Sequence, residues 1–425
     1  MKKRVLAGIA IVLCIILGIM FLPREVEELV GSNEKVSEAQ IYQVKDDEVA
    51  LIYNYSLQKA KAVYKDEVVY IPLNWTRSIL NDKFYYSDDE KLLSYALPTE
   101  IVYANFDNVD KNGKPLLIEK DGKAYISIET IKTYTDIWTD IFADGNIKKI
   151  YINNNFGEFE EANIKSKSEL RVDADMFSAS IENVELEKGE KVTVVEQKGK
   201  WDRVLTETGL LGYIKRKHLK NITKGNRVSS FDKPEYTSIS MNEKVVLGWH
   251  QVTATAANKN LSKVVDNTKG MNVISPTWFK LSDNNGNYTS IASKDYVDAA
   301  HSSGLKVWPL IDNFSDKIST LKILSSSTNR KKLISNLMSD AKEYGFDGIN
   351  IDFESLTQDN APHFIEFIRE LSASCRNNGL VLSVDVPTPA SYNMYYERDA
   401  LAEVVDYVIN MGYDEHYSGS DEGSS

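Results

Sequence analysis

Three features predict a multidomain chain whose largest part is an α/β (β/α)8 barrel, preceded by an α+β domain built on an internal repeat and by a small all-β module. From Lys244 onward, strand-like and helix-like stretches alternate, the pattern of a parallel α/β domain. In FDGINIDFESL, Phe346 to Leu356, acidic and apolar residues interleave at strand period. Near the front of the chain, KDEVVYIPL (Lys65 to Leu73) recurs as KDGKAYISI (Lys120 to Ile128), an offset of 55 residues.

Six strands are expected in the barrel: Val245 to His250, Met271 to Phe279, Leu305 to Asp312, Gly348 to Glu354, Leu380 to Val386 and Tyr407 to Tyr413. The clearest intervening helix has Pro362 near its start, an apolar face of Phe364, Phe367, Ile368, Leu371 and Cys375, and Gly379 after its end. A closed barrel has eight strands. The sequence ends in GSDEGSS after the sixth, so two strand–helix units are expected to be missing from this chain.

Side chains alternate faces along a strand. Gly348, Asn350, Asp352 and Glu354 therefore share one face, and Ile349, Ile351 and Phe353 share the other. The apolar face suits a cover of helices. Catalytic groups of such barrels lie at the C-terminal ends of the strands. Asp352 and Glu354 end the fourth strand, Asp385 lies near the end of the fifth, and Tyr413 and Asp414 end the sixth. A glycosidase needs such carboxyl groups: one to protonate the leaving oxygen, and negative charge to support an oxocarbenium-like state. Two like charges two residues apart raise a pKa, which would keep Glu354 protonated near neutral pH. The parity of Asp347 points it away from the mouth, into a structural role.

The fourth-strand run DGINIDFE resembles the DGxDxDxE signature of glycoside hydrolase family 18. MGYDEHY resembles that family's sixth-strand motif, and SPTWF with KVWPLIDNF resembles its bacterial branch associated with spores and cell walls. The resemblance covers Lys244 to the end. It implies a TIM barrel acting on β-1,4-linked N-acetylglucosamine by a retaining, substrate-assisted mechanism. It further implies Glu354 as the general acid/base, Asp352 as the group that orients the 2-acetamido group, and Tyr413 as a donor to its carbonyl oxygen. Trp249, Asn350, Asp385, Met411 and Asp414 are the expected substrate contacts. Two positions depart from the family pattern. Asn350 stands where the family has Asp, which is expected to let Asp352 ionise at lower pH than beside a carboxylate. WPLIDNF replaces the third-strand SxGG.

The repeat units each read as a turn, a strand and a short helix, followed by a charged-turn hairpin (SDDEKLLSYAL in one, ADGNIKKIYI in the other). Residues 41–155 resemble the stalk domain called copper amine oxidase N-terminal-like, here without a copper site. Residues 168–222, with Gly189, Trp201, Gly209 and Gly212-Tyr213, resemble a bacterial SH3-type barrel. Trp201 and Tyr213 there either line a groove for peptidoglycan stem peptides or fill the small core. Residues 223–243 read as a linker.

Lys2-Lys3-Arg4 precede an uncharged run, Val5 to Leu22, long enough at about 27 Å to nearly cross a bilayer core. The basic flank would leave the N-terminus inside. An uncleaved anchor is favoured over a cleaved signal, because no small-x-small site follows. Residues 23–40 are a polar tether. Either way the remainder is expected outside the cytoplasm, at the cell surface.

The 425 residues carry a formal charge of −12 and a pI near 5.1, which argues against nucleic acid as a partner. Cys14 and Cys375 are not placed to pair. The five histidines show no metal-ligand spacing, so neither a metal nor a cofactor is expected. Two functions fit the whole: a surface hydrolase of peptidoglycan or chitin-like glycan, or a non-catalytic, lectin-like barrel with adhesion modules. The acid at Glu354 distinguishes them, since binding alone does not need it.

Overall fold

The computed structural model describes residues 32–45, 47–412, 421 and 423. The Val5 to Leu22 run, Tyr413 and Asp414 lie outside them. Among the described residues no helix is long and apolar enough to cross a membrane. The chain divides into two compact units, residues 1–80 with 109–232, and residues 81–108 with 233–425.

The first unit is built mainly of two sheets. In the seven-stranded sheet, the two copies of the repeat meet. Ser56–Lys65 and Val68–Pro72 form one hairpin, and Leu117–Lys120 and Lys123–Ser127 form the other. Their second strands pair antiparallel, Ile71 opposite Ile126, so the copies lie side by side in one sheet. Each hairpin turns through two residues at positive φ, Asp66-Glu67 and Asp121-Gly122, the geometry a two-residue turn needs to match strand twist. A short helix follows each copy, Leu73–Trp75 and Ile128–Tyr134. The region 168–222 contributes six strands to an eight-stranded sheet that also takes in Lys35–Val36 and Gly157–Ile164. Tyr213 is buried there, its hydroxyl donating to Glu196 at 3.2 Å.

In the second unit, parallel strands follow one another in chain order. Leu247–His250, Val273–Pro276 and Lys306–Val307 pair as one sheet. Phe279–Leu281, Leu310–Asp312, Gly348–Asp352, Val381–Pro387 and Tyr407–Met411 pair as a second. Two chain segments pass from the first sheet into the second, so the order is that of six consecutive barrel strands. No closed barrel forms among the described residues. The alternation read from the acidic strand holds: Ile349, Ile351 and Phe353 are buried, and the Phe353 ring stacks on Phe367 of helix Ala361–Asn378 at 5.7 Å. That helix ends at Gly379 with φ +66°, a left-handed cap that glycine takes without strain.

Inside the curve of the strands, the N-terminal layer is apolar. Val273, Trp308 and Val381 pack with Ile239, Met241 and Val245. Gly348 is required at this level. A Cβ there would lie 2.6 Å from the Val381 carbonyl oxygen and 2.7 Å from the Trp308 ring. Asp347, just below, accepts from Lys306, His301 and the Val307 N–H, the structural role its parity indicated.

Three expectations need correcting. The second half of the linker is built into this unit: Ile239 N–H donates to Asp406, Met241 N–H to the Tyr407 hydroxyl, and Tyr236 to the Ala96 carbonyl. Its apolar residues fill the barrel floor, which a free linker would leave open. The acidic strand ends at Asp352 rather than Glu354. The stretch 41–155 is not one packing unit. The hairpin of the second copy, Trp138–Phe142 with Lys149–Asn153, stays in the seven-stranded sheet, but residues 81–108 belong to the second unit. Their strands Tyr85–Ser87, Leu92–Ala96 and Ile101–Ala104 form a small sheet over the Ala361–Asn378 helix.

The cause is a buried polar cluster. Ser94 donates to Glu366, and the Tyr85 hydroxyl meets His363 at 2.5 Å. Glu90 accepts from the Ser327 N–H at 2.8 Å, the first N–H of helix Ser327–Asp340, whose N-cap is Ser326. Beneath them Arg330 grips Glu370 with two bonds, at 3.0 and 2.8 Å, both side chains fully enclosed. Burial, then the charge of Glu370, pushes the Glu366 carboxyl up to about 7.

Replacing Arg330 by Met would leave Glu370 buried without its counter-charge. The expected loss is about 3–5 kcal/mol of stability in urea denaturation. A loss below about 1 kcal/mol, the scale of an exposed pair, would contradict the enclosed pairing.

Candidate active site

The polar layer lies just above the apolar one, toward the C-terminal ends of the strands. Its centre is Asn350, fully buried on the acidic strand. Its amide nitrogen donates to Ser383 Oγ at 3.0 Å and to Asp385 Oδ1 at 2.9 Å. Its carbonyl oxygen accepts from the Trp249 indole at 3.1 Å and from Ser275 Oγ at 3.3 Å. One amide thus joins side chains from the first, second, fourth and fifth strands with its full donor and acceptor capacity used.

One step further along, carboxyl groups gather. Strand register sets Asp312 level with Asp352, and pairs Ile351 with Val384, so the next rung brings Asp352 level with Asp385. All three aspartates are buried, Asp352 at 8% exposure. Burial disfavours the charged form, and like neighbours disfavour it further. Burial, then the charges of Glu354 and Asp312, pushes Asp352 up to about 7. For Asp385, burial again leads and lifts the group to about 8, against the hydrogen bond from Asn350. Asp312 is also raised, chiefly by burial, although it accepts the Phe314 N–H. Asp352 Oδ1 and Asp385 Oδ2 have no hydrogen-bond partner. A buried, unpartnered carboxyl oxygen is costly to the fold and is what a donor on a ligand would satisfy.

Glu354 lies past the strand end and is half-buried. Asn313 fixes its backbone from the third strand end, accepting from the Glu354 N–H at 2.9 Å and donating to its carbonyl oxygen at 3.0 Å. Ser355 follows with φ +54°, turning the chain sharply away. The side chain of Glu354 is therefore presented from a held peptide beside the aspartate rung.

The structure brings together Trp249, Asn350, Asp352, Glu354 and Asp385 of the residues the sequence singled out. Met411 ends its strand opposite Pro387; its carbonyl oxygen accepts from Thr388, and no hydrogen bond ties it to the carboxyl groups. Tyr413 and Asp414 lie outside the described residues. Two expectations change. The hydrogen bonds of Asn350 go to Asp385 and not to Asp352, so charge relief at position 350 falls mainly on Asp385. The upward pull of the like charges is seen at Asp352. Sequence reasoning missed Ser275, Asp312, Asn313 and Ser383. Asp312 and Asn313 stand in WPLIDNF at a strand end, and that placement could have marked them. No group of three or more His, Cys, Asp or Glu side chains poised to hold a metal occurs among the described residues.

The raised carboxyl groups make a signed prediction for stability. Both values exceed the ordinary value of about 4, so the native fold holds these protons more tightly than the unfolded chain. Their contribution is full below about pH 4 and is lost as pH rises through about 7 for Asp352 and about 8 for Asp385. Asp385→Asn should match the parent in Tm near pH 5 and exceed it by about 5 °C near pH 9. Melting curves that keep a constant gap across that range would contradict the assignment.

Sequence comparison matches residues 210–423, half of the chain, to the glycosyl hydrolases family 18. The uncharacterized glycosylase YvbX of Bacillus subtilis is 26% identical over 166 residues, which span 36% of this chain and 48% of YvbX. The cortical fragment-lytic enzyme of Bacillus subtilis is 30% identical over 112 residues, 25% of this chain and 26% of that enzyme. A solved chitinase from Chromobacterium violaceum has 22% identity and a TM-score of 0.36, with 42% of this chain and 59% of that chain covered. The chain thus spans about half the length, or less, of the curated relatives it matches. With the family match extending over half of its length, the chain belongs to the glycosyl hydrolases family 18.

Proposed function

We propose that this chain is an extracytoplasmic glycosidase that cleaves β-1,4-linked, N-acetylglucosamine-containing glycan with retention of configuration. Peptidoglycan and chitin-like glycan are the two candidate substrates. The observation that carries the reading is the unpartnered Oδ1 of Asp352, buried beside Glu354 on a rung of aspartates.

In this reading a 2-acetamido group enters the polar layer and donates its N–H to Asp352. Its carbonyl oxygen then faces the anomeric carbon. Glu354 protonates the glycosidic oxygen, the bond to the leaving sugar breaks, and the acetamido oxygen closes on the anomeric carbon. Positive charge grows on the acetamido nitrogen, and ionised Asp352 stabilises it. Water then adds with Glu354 as base, giving the retained product. The sixth-strand motif assigns Tyr413 as a donor to the acetamido oxygen and Asp414 as a substrate contact. Trp249, held by Asn350 yet 41% exposed, offers a ring to the sugar. The N-terminal apolar run would tether the enzyme to the membrane, and stem peptides of the wall would be the ligand of the all-β module.

The test is digestion of purified peptidoglycan and of chitin oligomers by the full chain, with new reducing ends read by mass spectrometry. Glu354→Gln should lower turnover by about 10²-fold or more and keep binding. Glycan binding with no new reducing ends from either substrate would support the lectin-like alternative.

Cell fractionation should recover the protein with the membrane. Soluble protein beginning after about residue 22 would show a cleaved signal instead.

A further inference from the structure

The first unit contains a cavity of about 440 Å³ that the barrel chemistry does not use. Its lining includes Trp138 and Asn153, directly opposite each other on the antiparallel pair Trp138–Phe142 and Lys149–Asn153. Directly opposed residues put their side chains on the same face of the sheet. Asn153 is only 1% exposed, yet neither its amide nitrogen nor its carbonyl oxygen has a partner. Native folds seldom leave both ends of a buried amide unsatisfied. An amide so placed offers two donors and an acceptor into the cavity.

The walls narrow the ligand class. Tyr55, Phe156 and Phe159 also line the cavity, so with Trp138 four aromatic residues border it. Trp138 is held in place, its indole N–H on the Asn155 carbonyl at 2.9 Å and the Arg227 guanidinium 3.4 Å from its ring centre. The charged lining is balanced, with Arg203 and Arg227 against Glu158 and Glu196, and Arg203 lies 4.0 Å from Glu196. A balanced wall gives no net pull on an anion or a cation. A pyranose ring suits it: apolar C–H faces for the aromatic rings, and adjacent hydroxyl groups that both donate and accept.

We propose that this cavity binds one pyranose residue of a neutral glycan. Asn153 donates to one ring hydroxyl and accepts from its neighbour, and Trp138 forms the apolar wall. The site lies within the first unit and does not depend on turnover in the barrel.

The experiment uses the full chain carrying Glu354→Gln, with tetra-N-acetylchitotetraose and cellotetraose as probes in calorimetric titration. At least one probe should bind at a site that survives Trp249→Ala in the barrel. Asn153→Leu and, separately, Trp138→Ala should each weaken that site tenfold or more. Asn153→Leu replaces an unsatisfied amide by an apolar side chain of similar size, so its Tm should equal or exceed the parent's. Three results would overturn the proposal: no binding that survives Trp249→Ala, equal binding in Asn153→Leu, or a lowered Tm in Asn153→Leu, which would make the amide a structural group. Because the barrel site is scored separately through Trp249→Ala, loss of barrel binding alone leaves this result readable.

Discussion

Three aspartates on one rung of a parallel sheet, almost cut off from water, are the constraint around which the second unit is organised. Asp312, Asp352 and Asp385 come from three adjacent strands, and register makes them neighbours. Buried carboxylates this close cannot all ionise without large cost, so protons are retained into the neutral range. The fold offers them few donors. Asn350 serves one oxygen of Asp385, the Phe314 N–H serves Asp312, and Oδ1 of Asp352 and Oδ2 of Asp385 are left unserved.

Holding such a rung dry requires a firm surround. Below it, Trp308 fills the interior so fully that only glycine fits at 348. Segment 236–245 closes the floor under Trp308. Outside, the small sheet of residues 81–108 covers the Ala361–Asn378 helix, whose Phe364 and Phe367 pack against Phe353. Phe353 lies between Asp352 and Glu354 in sequence. The small sheet of residues 81–108 therefore supports the helix on which the acidic strand end rests.

Much of this was legible in the sequence. Alternation along GINIDF gave the apolar and polar faces, because a strand has period two. Pro362 near the start, the apolar spacing and Gly379 after the end pointed to the long helix, which runs Ala361–Asn378. The capture of residues 81–108 was not legible. The two repeat hairpins read alike locally, and what separates them is the match of Tyr85, Glu90 and Ser94 to His363, Ser327 and Glu366, far away in the chain. Glu366, Arg369 and Glu370 lie on the same helix and are all buried, which the apolar spacing alone does not announce. For Asn313 the strand-end place in WPLIDNF was the one local sign; its contact with the Glu354 backbone is set by the fold. Asn350 read as an amide in the place of the family's Asp and as a substrate contact; in the fold it is the amide that joins four strands.

The most direct measurement is an NMR titration of the side-chain carboxyl carbons of Asp352 and Asp385 in the ligand-free full chain. Midpoints near 7 for Asp352 and near 8 for Asp385 are expected. Midpoints for both in the ordinary carboxylate range near 4 would contradict a dry, proton-holding rung.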